Sequence, residues 1–230
     1  NKKKFWLNIM NKELKKRILT SIILLSLLTA MYFYSFIMIG ALLIMAIIIW
    51  IEFYALISKI IRGNRYQDRF FRYISKLASL LYLCIFVYFI FVIESNYTDL
   101  KIYLLYSILV SILSDIGGLV FGKIFKGKKL TKISPNKTVS GSIGSFVLPM
   151  VLIVLFYNQL IIYDLFTLII LTIVISLISQ IGDLFISLLK RKAKVKDTSD
   201  LLPGHGGFLD RLDGIIFAAP SGVLLLNFLN

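Results

Sequence analysis

Residues 18–51 contain not one charged side chain. A small soluble core cannot cover a run of 34 such residues, and one membrane helix needs only about 20. The run therefore reads as two helices, 18–34 and 36–56, joined by a tight turn at Tyr34 and Ser35, with Glu52 marking the far end of the second. Further apolar runs predict spans at 77–94, 102–121, 143–157, 165–189 and 214–229, the last being short and containing Pro220 and Gly222. Backbone polar groups in hydrocarbon must be satisfied within their own segment. The expected fold is thus an all-α, polytopic membrane bundle of about seven transmembrane helices.

Charge orients this bundle. The chain is 58% hydrophobic and 17% charged with a net charge of +14, whereas soluble domains are nearer half apolar and a quarter charged. Of the 26 lysines and arginines, all but Lys101 fall in 1–17, 52–76, 122–142 and 190–213. The opposite connections hold Glu94, Asp99 and Asp164. Such asymmetry is the positive-inside pattern, which places the N-terminus and the three basic segments in the cytoplasm and the C-terminus outside. It also accounts for the net charge without a nucleic-acid partner. Residues 1–17 interleave lysines with Phe5, Trp6, Leu7, Ile9 and Met10, as a segment lying on an anionic membrane surface would. The single cysteine, Cys84, excludes an internal disulfide and a cysteine metal site. No cleavable signal is expected, because the first apolar run is too long and lacks a small-residue cleavage site. A start at Asn1 rather than methionine leaves room for a few preceding residues. Usage rich in Asn, Ile and Lys hints at an AT-rich bacterial genome. By organisation, 1–113 reads as the N-terminal region with the first spans, and 114–230 as the region that carries chemistry.

Residues 196–213 pack the only histidine, four of the twelve acidic residues and three of the fourteen glycines into eighteen positions beside the bilayer. Asp210 and Asp213 stand three apart and share a face if a helix begins near Phe208. Two such carboxylates suit a divalent cation that holds phosphate oxygens, though acids at a helix start are also favoured by its dipole. Asp183, in Ser-Gln-Ile-Gly-Asp-Leu, and Asp115, in Ser-Asp-Ile-Gly-Gly, lie near the cytoplasmic ends of apolar spans. A carboxylate there costs a few kcal/mol unless it faces a polar cavity or reaches water. The segment from Gly122 to Thr138 is purely basic and rich in glycine, serine and threonine, the equipment for di- or triphosphates. It is not a Walker A loop. Lys190, Arg191 and Lys192 follow the sixth span directly; Lys192 and Lys194 read as anchors. His205 is open between phosphate donor, acid/base and loop-shaping residue.

Ser187-x2-Lys190-Arg191-x4-Lys196-Asp197-x-Ser199-x2-Leu202-Pro203-Gly204-His205-Gly206-Gly207-Phe208-x-Asp210-Arg211-x-Asp213 resembles the signature of the phosphatidate cytidylyltransferase (CDP-diacylglycerol synthase) family. Asp115-x2-Gly118, Gly122-Lys123, Gly127-Lys128, Leu130 and Ile133-Ser134-Pro135-Asn136-Lys137-Thr138 resemble its second block, and Trp50-Ile51-Glu52-Phe53 an aromatic-acidic run upstream. The resemblance implies a magnesium-dependent nucleotidyltransferase of phospholipid biosynthesis. In it the phosphate of phosphatidic acid attacks the α-phosphorus of CTP, giving CDP-diacylglycerol and pyrophosphate. It further implies metal ligation by Asp183, Asp210 and Asp213, with a second cation accommodated. Catalytic roles fall to Lys190, Arg191, Lys196, Asp197, His205 and Arg211. Substrate binding falls to Asp115, Lys123, Lys128, Ser134, Pro135, Asn136, Lys137, Thr138 and Ser187. A homodimer, a bacterial inner-membrane location and a site facing the cytoplasm are part of the same expectation.

Two positions depart from the family pattern: Ser140 and Ile186 stand where glutamates are usual. They keep open a weakened or non-catalytic relative. A small ion-coupled transporter would account for Asp115 and Asp183 but leaves 196–213 unexplained. A CDP-alcohol phosphotransferase is disfavoured by the absence of its Asp-Gly-x2-Ala-Arg pattern.

Overall fold

A computed structural model describes residues 19, 22–23, 26–27, 29–96, 100–131, 134, 137–160, 163–202 and 206–228. Six residues of the expected first span, 18, 20, 21, 24, 25 and 28, lie outside the described residues. Among those described, no strand occurs, and the helices after Tyr34 are α1 (Ser35–Ile60), α2 (Tyr66–Asn96), α3 (Leu100–Phe125), α4 (Val139–Val147), α5 (Met150–Phe156), α6 (Leu165–Lys192), α7 (Leu209–Leu212) and α8 (Ile215–Phe228). Five are long and apolar enough to cross a membrane: α1, α2, α3, α4 with α5 as one span, and α6. The protein is an all-α, polytopic membrane protein. Large apolar side chains such as Val154 (79% exposed) and Phe166 (70%) lie on the outside, as a surface facing lipid would present.

Several boundaries follow local chemistry. Tyr34 has an extended backbone (φ −125°, ψ 102°) and separates the helical residues 29–33 from α1, where a turn was expected. The basic stretch between the expected spans, 57–76, is mostly helix: only 61–65 lie outside α1 and α2. Its arginines and aromatics are good enough helix residues once a span continues through them, and their polar tips reach water from a helical backbone. The ammonium of Lys76 sits 3.3 Å from the centre of the Tyr54 ring, a cation–π contact. The fifth span breaks between α4 and α5 at Pro149. Proline has no N–H and displaces the carbonyl four residues earlier. That carbonyl, of Ser145, accepts the hydroxyl proton of Ser176 at 2.7 Å, so the bond lost along the helix is replaced across to α6. Asp164 opens α6 by accepting from Phe166 N (3.1 Å) and Thr167 N (3.2 Å). The expected last span, 214–229, is occupied over its described residues by α8, 14 residues with Pro220 inside, about 21 Å of helix at 1.5 Å per residue.

The chain forms two compact units that interleave in sequence: 1–87 with 192–211, and 88–191 with 212–230. In the second, α3 packs on α4 and α8, over a core that includes Tyr106, Val110, Leu168, Ile175, Ala218 and Leu226. In the first, α1 buries Leu42, Ile49, Phe53 and Leu56, and also one carboxylate, Glu52.

Candidate active site

The second unit builds its site on a ladder of small polar residues. Ser107, Ser111 and Asp115 recur every four residues on α3; Thr172, Ser176, Ser179 and Asp183 recur at three or four on α6. Such spacing places each set on one helix face. The faces meet: Tyr106 Oη lies 2.6 Å from Thr172 Oγ1, Ser111 Oγ 2.7 Å from Ser179 Oγ, and Ser114 Oγ 2.9 Å from Ser176 Oγ. All these groups are fully buried. Interhelical hydroxyl pairs of this kind hold membrane helices together where no hydrophobic force distinguishes helix from lipid. Asp115 and Asp183 stand four residues beyond Ser111 and Ser179, so they are the next rung.

Glycines let the turn before α8 deliver a third carboxylate to this rung. A Cβ on Gly182 would lie 2.9 Å from the carbonyl oxygen of Asp213 and 2.5 Å from Phe217. One on Gly214 would lie 2.4 Å from Ser179 Oγ. Asp213 is thereby buried, with Gly214 N donating to its Oδ1 at 2.9 Å. Burial, and then the neighbouring carboxylates of Asp183 and Asp115, push its carboxyl up to about 8, with Lys190 pulling the other way. The side chains of Asp213 and Asp183 are hydrogen-bonded to each other. Asp183 also forms an ion pair with Lys137 and lies 3.4 Å from Ser187 Oγ. Three carboxylates and two ammonium groups are thus gathered at the end of the ladder.

Lys137 arrives from the 126–138 segment, which is tied down at both ends. Leu130 N donates to Lys137 O at 2.8 Å, and Val139 N to Lys128 O at 3.0 Å. Thr138 caps α4, accepting from Gly141 N at 3.1 Å, which gives it a structural task besides the expected binding one. Ser134 accepts from Lys137 N through its carbonyl (3.0 Å) and donates its N–H to Thr131 Oγ1 (3.2 Å). Lys123 and Lys128 are exposed. Pro135, Asn136 and His205 lie outside the described residues.

In the first unit the motif loop is organised by carboxylates acting as acceptors. Asp210 Oδ2 accepts from Thr198 N (2.8 Å) and Gly207 N (3.0 Å), and lies 3.0 Å from Thr198 Oγ1. Lys196, Asp197 and Arg211 are exposed on this loop, and Arg191 is exposed at the end of α6. Of the three residues expected to hold metal, Asp183 and Asp213 are brought together, while Asp210 ties the loop. Among the described residues, no group of three or more His, Cys, Asp or Glu side chains is placed to hold a metal ion. Magnesium needs only one or two protein carboxylates when phosphates and water complete its shell. Asp183 and Asp213, side by side and beside Asp115, supply such a pair of oxygen donors, so they fit one.

A comparison with known proteins decides the family. The model of the "Cytidylyltransferase family" matches residues 6–229. The chain belongs to this family. It is 41% identical over 130 residues to a phosphatidate cytidylyltransferase of Staphylococcus haemolyticus, a match covering 55% of this chain and 48% of that one. Proteins of the same name from Staphylococcus saprophyticus (42% over 132 residues) and Staphylococcus aureus (41% over 133) match with the same coverage. The chain spans about half the length of the curated relatives it matches.

Ser140 and Ile186 are the two positions expected to depart from the family pattern. The Ser140 hydroxyl donates to the carbonyl of Lys126, bracing a turn in which Lys126 (φ 50°) and Gly127 (φ 120°) are left-handed. Ile186 is wholly buried on α6.

One functional candidate escaped the sequence reading. Glu52, noted there as a span end and part of an upstream run, is only 2% exposed. It accepts four hydrogen bonds, from Thr198 Oγ1 (2.8 Å), Ser199 Oγ (2.6 Å), Phe208 N (3.1 Å) and Leu209 N (2.8 Å). A lone glutamate at the end of an apolar run signals a membrane boundary; partners about 150 positions away leave no local trace.

Proposed function

We propose that the protein transfers a cytidylyl group from CTP to phosphatidic acid, forming CDP-diacylglycerol and pyrophosphate. The observation that carries the reading is the meeting of Asp115, Asp183 and Asp213 with Lys137 and Lys190 at the end of a buried polar ladder, in a chain of the cytidylyltransferase family. A phosphate oxygen of the lipid attacks the α-phosphorus of CTP. The new P–O bond forms as the bond to the bridging oxygen of the β-phosphate breaks, and pyrophosphate leaves with the electron pair. Such transfers need positioning and charge neutralisation more than a base. Lys137, oriented by its ion pair with Asp183, and Lys190 supply fixed positive charge. Lys196 and Arg211 are assigned to phosphate contacts, and Ser134 and Thr138 to the segment that presents Lys137. Magnesium, held by Asp183 and Asp213, would neutralise phosphate oxygens. The site faces the cytoplasm, where the basic connections lie, and the membrane is a bacterial inner membrane.

The test is an assay of purified protein in detergent with phosphatidic acid, CTP and magnesium, following both products. Product that requires magnesium and drops about 10²-fold or more in Asp183→Asn, in line with losing a preorganised electrostatic group, supports the assignment. Well-folded protein that yields no CDP-diacylglycerol with any divalent cation would make it a non-catalytic relative.

A further inference from the structure

Glu52 closes the motif loop at both ends. Its Oε2 takes Thr198 Oγ1 and Leu209 N; its Oε1 takes Ser199 Oγ and Phe208 N. Two donors come from the start of the 198–209 stretch and two from its end, so a single side chain on α1 fixes the chord of the loop. Gly207 lies directly over it: a Cβ there would sit 2.5 Å from Glu52 Oε1 and 2.0 Å from Thr198 Oγ1. Thr198, itself buried, stands between two carboxylates, 2.8 Å from Glu52 Oε2 and 3.0 Å from Asp210 Oδ2. Its one proton is shared between them, while its N–H donates to Asp210. Buried carboxylates are tolerated only where donors surround them, and no substrate chemistry is needed to explain four donors on one glutamate. What the arrangement does is set where Asp210, Lys196 and Arg211 stand.

We propose that Glu52 and Thr198 are positioning residues: acting through Asp210 and the loop backbone, they hold the phosphate-handling loop in its working geometry. The kinetic consequence rests on the cytidylyltransferase reading; the structural consequence does not. Glu52→Gln replaces one acceptor oxygen by a donor NH2 facing two donors, and Thr198→Val removes the shared hydroxyl at nearly constant volume, whereas Thr198→Ser keeps it.

The full chain in detergent is compared in two ways. One is limited trypsin cleavage after Lys194, Lys196 and Arg211, read by mass spectrometry beside the melting temperature. The other is kcat and KM for CTP. Glu52→Gln and Thr198→Val are expected to speed cleavage at these three sites with a melting temperature near that of the parent. They should also lower kcat by about tenfold or more, since misplacement by about 1 Å costs up to 10²-fold, while KM moves less. Thr198→Ser should recover most of both. Unchanged cleavage in Glu52→Gln and Thr198→Val would overturn the proposal. So would a loss shared equally by Thr198→Ser or accompanied by general unfolding, which would reduce the network to a stability element. A parent without cytidylyltransferase activity would sink the functional reading and leave the cleavage comparison to decide the clamp.

Discussion

Asp183 and Asp213 are the residues on which charge matters most, because they touch each other beside Lys137 and Lys190. With divalent cations chelated, Asp213 binds its proton more tightly folded than unfolded. Its contribution to stability is complete below the ordinary aspartate range near 3.8 and is lost as pH rises through about 8. Melting temperature in chelator should therefore fall between those limits, and Asp213→Asn should flatten that part of the curve. A wild-type profile as flat as the variant's would contradict the burial described. Magnesium should raise the melting temperature of the wild type most at the alkaline end, where Asp213 has lost its proton. Lys137→Met is expected to lose activity and to destabilise, since it leaves the partly buried Asp183 without its ion-pair partner. A Lys137→Arg protein that kept full activity would show that charge alone, rather than the fit of an ammonium, is required.

At the scale of elements, the glycines near Asp115 proved to be packing devices. A Cβ on Gly117 would lie 2.3 Å from the carbonyl oxygen of Gly144, and one on Gly144 2.4 Å from Phe121. The obstruction at Gly117 is backbone, which cannot step aside, so α3 and α4 would be forced apart. Gly117→Ala should cost about 1–3 kcal/mol or more, the usual range for overpacking, read as a lower melting temperature in detergent. The hydroxyl ladder should be milder, with Ser111→Ala near the ~0.6 kcal/mol average for interhelical bonds in membranes. Ser176→Ala should exceed it, because it also strips the Ser145 carbonyl that Pro149 deprived of its helical donor. Equal losses in the two serine variants would argue against that account.

Over the whole molecule, the five described spans alternate basic connections, 61–65, 126–138 and 193–208, with the short ones at 97–99 and 157–164. A Cys84→Ser protein carrying one new cysteine at Lys128 should react with a membrane-impermeant thiol reagent only from the cytoplasmic side, and one at Asp164 only from the other. Labelling in the opposite sense would invert the topology. The sequence alone determined the membrane class, the approximate spans and the grouping of basic segments, because hydropathy and charge are summed locally and the bilayer reads them one segment at a time. It also marked Asp115, Asp183 and Asp213 as chemistry-bearing, since carboxylates beside apolar runs are costly wherever the helices pack. Only the tertiary structure decided which carboxylates share a site. Asp183 and Asp213 meet because Gly182 and Gly214 allow the backbone around Asp213 to approach α6, and Asp210 accepts from Thr198 and Gly207. Glu52 was beyond the reach of pattern, for its four donors come from residues brought to it by folding. Hydrogen-bond partners across such separations are set by packing, which no local spacing encodes.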